Sequence, residues 1–196
     1  MSRRPLPPHA IFYGMKANPP PCGPALLHQT PAGPIVIVEN GAAVTHVFFR
    51  HLMQPEHVEW KETPLLRRTA RQLDEYFQGT RRTFDVPLSP QGTEFEQTVW
   101  RALQTIPHGE TRSYGDIARQ IGRPSACRAV GHANNQNPIG IIIPCHRVIG
   151  ASGKLTGYAG GLTIKQFLLE LEQGAVAPFM LFPDAERMLW DIPAGS

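Results

Sequence analysis

The 196-residue chain has only three cysteines, Cys22, Cys127 and Cys145, an odd number scattered along its length. That excludes a disulfide framework and points to a reducing, cytoplasmic setting. No apolar run approaches the length of a membrane span, so no membrane partner is expected. Arg3 and Arg4 are not followed by an apolar stretch, so no secretory signal is expected either. The glycine-rich loop near residue 157 lacks the Gly-Lys-Ser/Thr pattern of a phosphate-binding P-loop. Nor is there a strong excess of one charge: the net value is +3.

The distribution of charge is more informative. Residues 1–99 carry ten Lys/Arg against nine acids, whereas residues 100–174 carry eight against four. A basic second half suits a polyanionic partner, although a solvated basic face gives the same count.

Residues 1–33 are proline-rich, including Pro19-Pro20-Pro21, and read as an extension. Residues 34–91 read as a small α+β domain. Ile35–Val38 and Val44–Phe49 flank Asn40-Gly41, the pattern of a hairpin. Thr63-Pro64 reads as an N-cap followed by proline at the first helical position. The helix that follows has Leu65, Leu66, Ala70, Leu73, Tyr76 and Phe77 at helical spacing and stops at Gly79. Residues 92–174 read as a second domain. Thr93-Glu94-Phe95-Glu96 is a capping box opening a helix to about Ile106. Ser113 to Ile121 is a short helix, Gly122-Arg123-Pro124 a tight turn, and Ser125 the expected cap of a further helix over Ala126–Ala133. Helix, turn and helix at this spacing suggest a helix-turn-helix, weakly. The second of these helices is smooth, with Ala126, Cys127, Ala129 and Gly131 small and only Arg128 long. Such a surface suits a narrow groove; tight packing on a neighbour is an equal reading of the residues alone. A last helix spans Leu162–Glu172. Residues 175–196 form a tail whose Phe179, Met180, Leu181, Phe182 and Trp190 are expected to pack on something.

Pro144-Cys145-His146-Arg147-Val148-Ile149-Gly150 follows three isoleucines, Ile141–Ile143, that read as a short buried segment. Most buried cysteines are inert. An imidazole and a guanidinium beside the thiol argue for a reactive one, because charge in a core is costly unless something uses it.

Arg112-Ser113-Tyr114-Gly115, Arg128-Ala129-Val130-Gly131, Asn137-Pro138, Ile143-Pro144-Cys145-His146-Arg147-Val148, Tyr158-Ala159-Gly160-Gly161 and Glu170-Leu171-Glu172 together resemble the O6-alkylguanine-DNA alkyltransferases. The resemblance is close from Gly92 to Glu172 and weak before it. It implies an α+β chain. The first domain would be a small α/β unit of ribonuclease H-like type; the second would be mostly helical with a winged-helix-like helix-turn-helix. It further implies irreversible, single-turnover DNA repair: an alkyl group passes from O6 of a flipped guanine, or O4 of thymine, to Cys145. By the same resemblance His146 is the base of Cys145, acting through a water, since neighbouring side chains of an extended segment point apart. Glu172 orients the imidazole and stabilises its charged form, so that the thiol pKa is depressed. Tyr114 donates to the departing base and Asn137 braces the thiol loop. Val148, Tyr158 and Ala159 bind the base. Tyr114, Gly115, Arg123, Ala126, Arg128, Ala129, Gly131 and Ala151 contact DNA, with Arg128 filling the gap left by the flipped nucleotide. The implied partner is double-stranded DNA bearing O6-alkylguanine, and a monomer is expected.

Three positions depart from the family pattern: Gly140 stands where some members have proline, Ala159 where some have serine, and Cys127 replaces an alanine. They bear on adduct size, not on the reaction. Some members bind zinc in the first domain. Cys22 and His28 alone cannot make a tetrahedral site, so neither metal nor cofactor is expected. Two other classes fit parts of the pattern: a helix-turn-helix transcription regulator with a sensor cysteine, and a Cys-His-Glu hydrolase.

Overall fold

The computed structural model describes residues 20–53, 55 and 57–176. The expected tail packing and the first 19 residues of the proline-rich extension lie outside them. Among the described residues no helix is long and apolar enough to cross a membrane.

The first half is a four-stranded sheet with one helix on it. The strands are β1 (Cys22–His28), β2 (Ile35–Glu39), β3 (Val44–Phe49) and β4 (His57–Trp60), in spatial order β3-β2-β1-β4. β1–β2 and β2–β3 are antiparallel, and β1–β4 is parallel. The Asn40-Gly41 hairpin forms, with Gly41 at φ 90°. The extension expected to reach residue 33 instead already holds a strand. Pro24 is tolerated there because β2 joins only from Ala25 onward, so Pro24 faces β4 alone. α1 (Pro64–Phe77) starts as expected, with the Thr63 hydroxyl accepting from Leu66 N at 3.1 Å and Pro64 in its first turn. Its buried stripe of Leu66, Ala70, Leu73, Tyr76 and Phe77 meets Ile35, Ile37, Val47 and Phe49 of the sheet in the main core.

The second half is helical: α2 (Glu94–Leu103), α3 (Tyr114–Gln120), α4 (Cys127–Asn135) and α5 (Leu162–Glu172). Both halves of the α2 capping box are made, Thr93 and Glu96 each satisfying the other's backbone. α3 has a second box from Ser113 and Asp116. α4 differs from expectation. Ser125 does not cap it. Ala126 N already bonds Arg123 O at 2.9 Å, so the chain is turning before Ser125, and Ala126 occupies the cap position without a side-chain bond. The turn between α3 and α4 is therefore residues 121–126, longer than the Gly-Arg-Pro turn alone. Two short parallel strands, β5 (Arg112–Ser113) and β6 (Val148–Ile149), sit beside this pair, and the loop after β6 closes through Gly150 N to Lys154 O, 2.9 Å. The chain is thus α+β, with a small sheet domain followed by a mostly helical one.

The halves are stitched where the site lies. Val47 N donates to Pro138 O (2.9 Å), and Gly140 N donates to Val47 O (2.8 Å). A Cβ at position 140 would stand 3.2 Å from that same carbonyl, so glycine suits the close approach. Trp100 Nε1 ties α2 to α4 through Ala133 O at 2.8 Å.

Candidate active site

The isoleucines before Cys145 are buried, as expected, but Cys145 and His146 do not lie on an extended segment. Residues 145–147 form a 3₁₀ turn, and Ile141 lies at φ 69°. For a β-branched residue that conformation costs roughly 1–3 kcal/mol and must be imposed from outside. Asn137 imposes it. Its amide nitrogen reaches Ile143 O at 2.8 Å and Ile139 O at 3.4 Å, while its oxygen accepts from Ile139 N at 3.1 Å. The same nitrogen lies 3.1 Å from Cys145 Sγ. One side chain thus braces the turn and donates to the sulfur. Asn134, on α4, adds a longer bond of 3.4 Å to Cys145 O.

Cys145 is 6% exposed. Burial pushes its thiol above the ordinary range, against the opposing pull of Asn137 and Lys165. His146 is fully buried and bonds Glu172 Oε1 through Nε2 at 2.8 Å. With a carboxylate on Nε2, that nitrogen carries the proton and Nδ1 does not. Nδ1 has no partner among the described residues, so the thiol does not bond it directly. Burial lowers the His146 pKa; Glu172 pulls it back only in part, and Arg147 and Lys165 oppose Glu172. The resting pair is therefore neutral thiol and neutral imidazole, not the thiolate–imidazolium expected from the motif. The main reason is burial, which raises the thiol and lowers the imidazole, and Arg147 adds to it. Arg147 donates to Glu172 from Nε and Nη2 (2.8 and 2.9 Å) and to Ile106 O from Nη1 (2.6 Å). That bidentate pair neutralises the carboxylate without any help from a charged histidine.

Glu172 ends α5, where the helix dipole disfavours an acid. It is held there by five donors: His146, two nitrogens of Arg147, Gly109 N (3.1 Å) and the Tyr76 hydroxyl (2.8 Å). Burial pushes its pKa up, but the hydrogen bonds and charges of His146 and Arg147 more than offset this and hold it well below the carboxylate range.

A cavity of about 20 Å³, room for about one water, adjoins the thiol. Asn134, Gly140, Tyr158, Ala159, Gly160 and Phe49 are among its lining residues. Val148 is buried on β6, and its carbonyl accepts from Lys165 Nζ at 2.5 Å. Lys165 also donates to Thr156 O (2.8 Å), which accepts the Tyr114 hydroxyl as well (3.2 Å). Burial pulls the Lys165 pKa down to about 8. The Tyr114 ring packs 3.7 Å from the position a Cβ on Gly131 would take, joining the start of α3 to α4.

The remaining candidates lie on the outer side. Arg128, Ala129, Arg123 and Ala151 are exposed; Gly115, Ala126 and Gly131 are partly so. Arg128 has no hydrogen bond or ion pair among the described residues, whereas the Arg123 guanidinium lies 5.6 Å over the Phe95 ring. His28 bonds Asp74 at 2.7 Å, and Cys22 is exposed on β1. Sequence reasoning missed Lys165, Asn134 and Tyr76 as parts of the site, and it read Arg147 as activating the thiol rather than as the partner of Glu172. Lys165 had a signal, a cation embedded in apolar sequence.

Two family models match this chain. Residues 94–174 match the DNA-binding domain of 6-O-methylguanine DNA methyltransferase, and residues 26–90 match its ribonuclease-like domain. A methylated-DNA–protein-cysteine methyltransferase of Methanosarcina acetivorans is 53% identical over 149 residues, covering 74% of this chain and 96% of the relative. The constitutive one of Bacillus subtilis is 50% identical over 155 residues, 74% and 92% of the two chains. Among solved structures, Mycobacterium tuberculosis OGT in complex with DNA superposes with a TM-score of 0.73 at 48% identity, over 79% of this chain and 95% of that one.

Proposed function

Since the chain belongs to the methylated-DNA–protein-cysteine methyltransferase family, an enzyme of DNA repair by alkyl transfer to cysteine, we propose that Cys145 is its acceptor and duplex O6-alkylguanine its substrate. The observation that carries this is the buried thiol turn: Asn137 on the sulfur, and beside it an imidazole locked by Glu172 with one nitrogen unprotonated.

The thiol proton passes to His146 Nδ1 through a water. The sulfur attacks the alkyl carbon, a carbon–sulfur bond forms and the carbon–O6 bond breaks. The electron pair leaves with the guanine, which takes a proton donated by Tyr114. The thioether is not hydrolysed, so each chain acts once. A burial-raised thiol stays protonated until a base fills the pocket, which protects it from idle reaction. Arg128, unpaired on a helix of small residues, fills the stack behind the flipped nucleotide, and the remaining α3–α4 surface lies along the minor groove. Val148, Tyr158 and Ala159 hold the base, and O4-alkylthymine is a secondary substrate. The protein acts as a monomer, and its unpaired cysteines suit a reducing cytoplasm.

The test is incubation with duplex DNA carrying labelled O6-methylguanine. One equivalent of label per chain, on Cys145, is expected, and none with Cys145→Ala. Label on another residue, or many equivalents per chain, refutes the assignment.

A further inference from the structure

Packing accounts for the ring of Tyr76 but not for its hydroxyl. The residue is 1% exposed in the apolar stripe of α1, against Phe77, Phe84 and His108. Its hydroxyl crosses to the other domain, 96 residues away in sequence, and donates to Glu172 Oε1. His146 Nε2 and Arg147 Nη2 use that same oxygen. A carboxylate oxygen offers two lone pairs, so three donors share what suits two.

We propose that Tyr76 is a positioning residue for the alkyl transfer, a donor from the first domain that limits how much of the Glu172 charge His146 can use. The inference rests on His146 being the proton acceptor. The titratable and charged groups around that acceptor are Cys145 and Arg147 on its own turn, Glu172 and Lys165 on α5, Tyr76 on α1 and His108 after α2. Tyr158 faces the same carboxylate from the glycine-rich loop. Of these, Tyr76 alone reaches Glu172 from the first domain. Burial, then the charge of Glu172, push its phenol well above the ordinary range, so it remains a neutral donor wherever the protein works. Without that hydroxyl, Oε1 has more charge to offer the imidazole. The imidazolium is then better stabilised, and His146 takes up its proton at higher pH. A protonated His146 cannot accept from the thiol, so the acid limb of the rate profile moves up with it.

The experiment compares wild type with Tyr76→Phe. It reads the pH dependence of single-turnover transfer from O6-methylguanine duplex, and the His146 imidazole titration by NMR. Both are expected to move upward by roughly half a pH unit or more. Fluorotyrosine placed at position 76 alone keeps the ring and strengthens the donor; it is expected to move both readouts downward, and it carries the test if Tyr76→Phe folds poorly. Rates that fall while both titrations stay put would show a merely structural ring and overturn the proposal, as would unshifted profiles at full rate. Label found on a residue other than Cys145 would instead overturn the reading on which it rests.

Discussion

Arg147 and Arg128 put the same guanidinium into opposite surroundings. Arg147 is 6% exposed and spends its donors on both oxygens of Glu172 and on the Ile106 carbonyl. Arg128 stands exposed on α4, among small residues, with no partner among the described residues. The inner arginine stabilises a carboxylate and adds to the larger effect of burial that keeps His146 neutral. The outer one does nothing for this molecule alone, and its use lies with whatever meets α4. A charge with every donor satisfied belongs to the architecture of the site. A charge with none satisfied, on a surface that otherwise avoids bulk, belongs to recognition.

Breaking the inner pair should have the largest effect. Glu172→Gln leaves Arg147 buried without its counter-charge, which costs about 3–5 kcal/mol. It should show as a lower urea midpoint at unchanged slope, together with loss of transfer. Arg128→Ala should hold stability within about 0.5 kcal/mol, yet slow transfer from duplex DNA by about tenfold or more through the unpaid cost of flipping. Transfer from the free O6-alkylguanine base should be unaffected. If Glu172→Gln is mild, or if Arg128→Ala slows the free base as much as the duplex, the contrast fails.

Asn137→Ala comes next. It leaves the Ile139 amide without a partner, takes one of two donors from the Ile143 carbonyl and releases the strained turn at Ile141, for a loss of about 1–3 kcal/mol in denaturant melts. A third inner cation sharpens the comparison by pH. Lys165 ionises in the folded chain at about 8, below its ordinary 10.5. Between those values the unfolded chain binds the extra proton, so stability from this group rises as pH climbs from about 8 toward 10.5. The stability difference between wild type and Lys165→Met should therefore grow across that window. A difference flat with pH would mean the ammonium is better solvated than its burial implies. The smallest effects belong to helix starts. Thr93→Ala should cost about 1 kcal/mol, whereas Ser125→Ala, ahead of the outward helix, should cost under about 0.5 kcal/mol in the same melts.

Signals carried within a few residues were legible in the sequence. The Asn40-Gly41 hairpin, the Thr63-Pro64 start and the Thr93–Glu96 box each act over at most a few positions, and each formed. The family motifs named Cys145, His146, Glu172 and Asn137, which the fold brings into one network. What was not legible depends on partners far along the chain. Cys145 and His146 read as extended because nothing local announces that Asn137 will bond three backbone groups and turn the chain ahead of them. Cys22–His28 read as part of the proline-rich extension because its two partners, β2 and β4, each cover only part of it. Tyr76 read as an apolar stripe position, since its acceptor lies 96 residues on. The depressed thiol pKa expected from Cys-His adjacency failed because the fold buries both groups, which raises the thiol and lowers the imidazole.

The reach of the Glu172 network also has a consequence in time. His146 meets its carboxylate only after a further 26 residues have been added, and Tyr76 waits 96 residues for the same group. At a synthesis rate of about 5–20 residues per second, a nascent chain therefore carries Cys145 for about 1–5 s with its neighbouring imidazole unanchored. During that interval the thiol lacks the anchored base that the folded site sets beside it. That anchor arrives late and all at once, when the end of α5 docks against both domains.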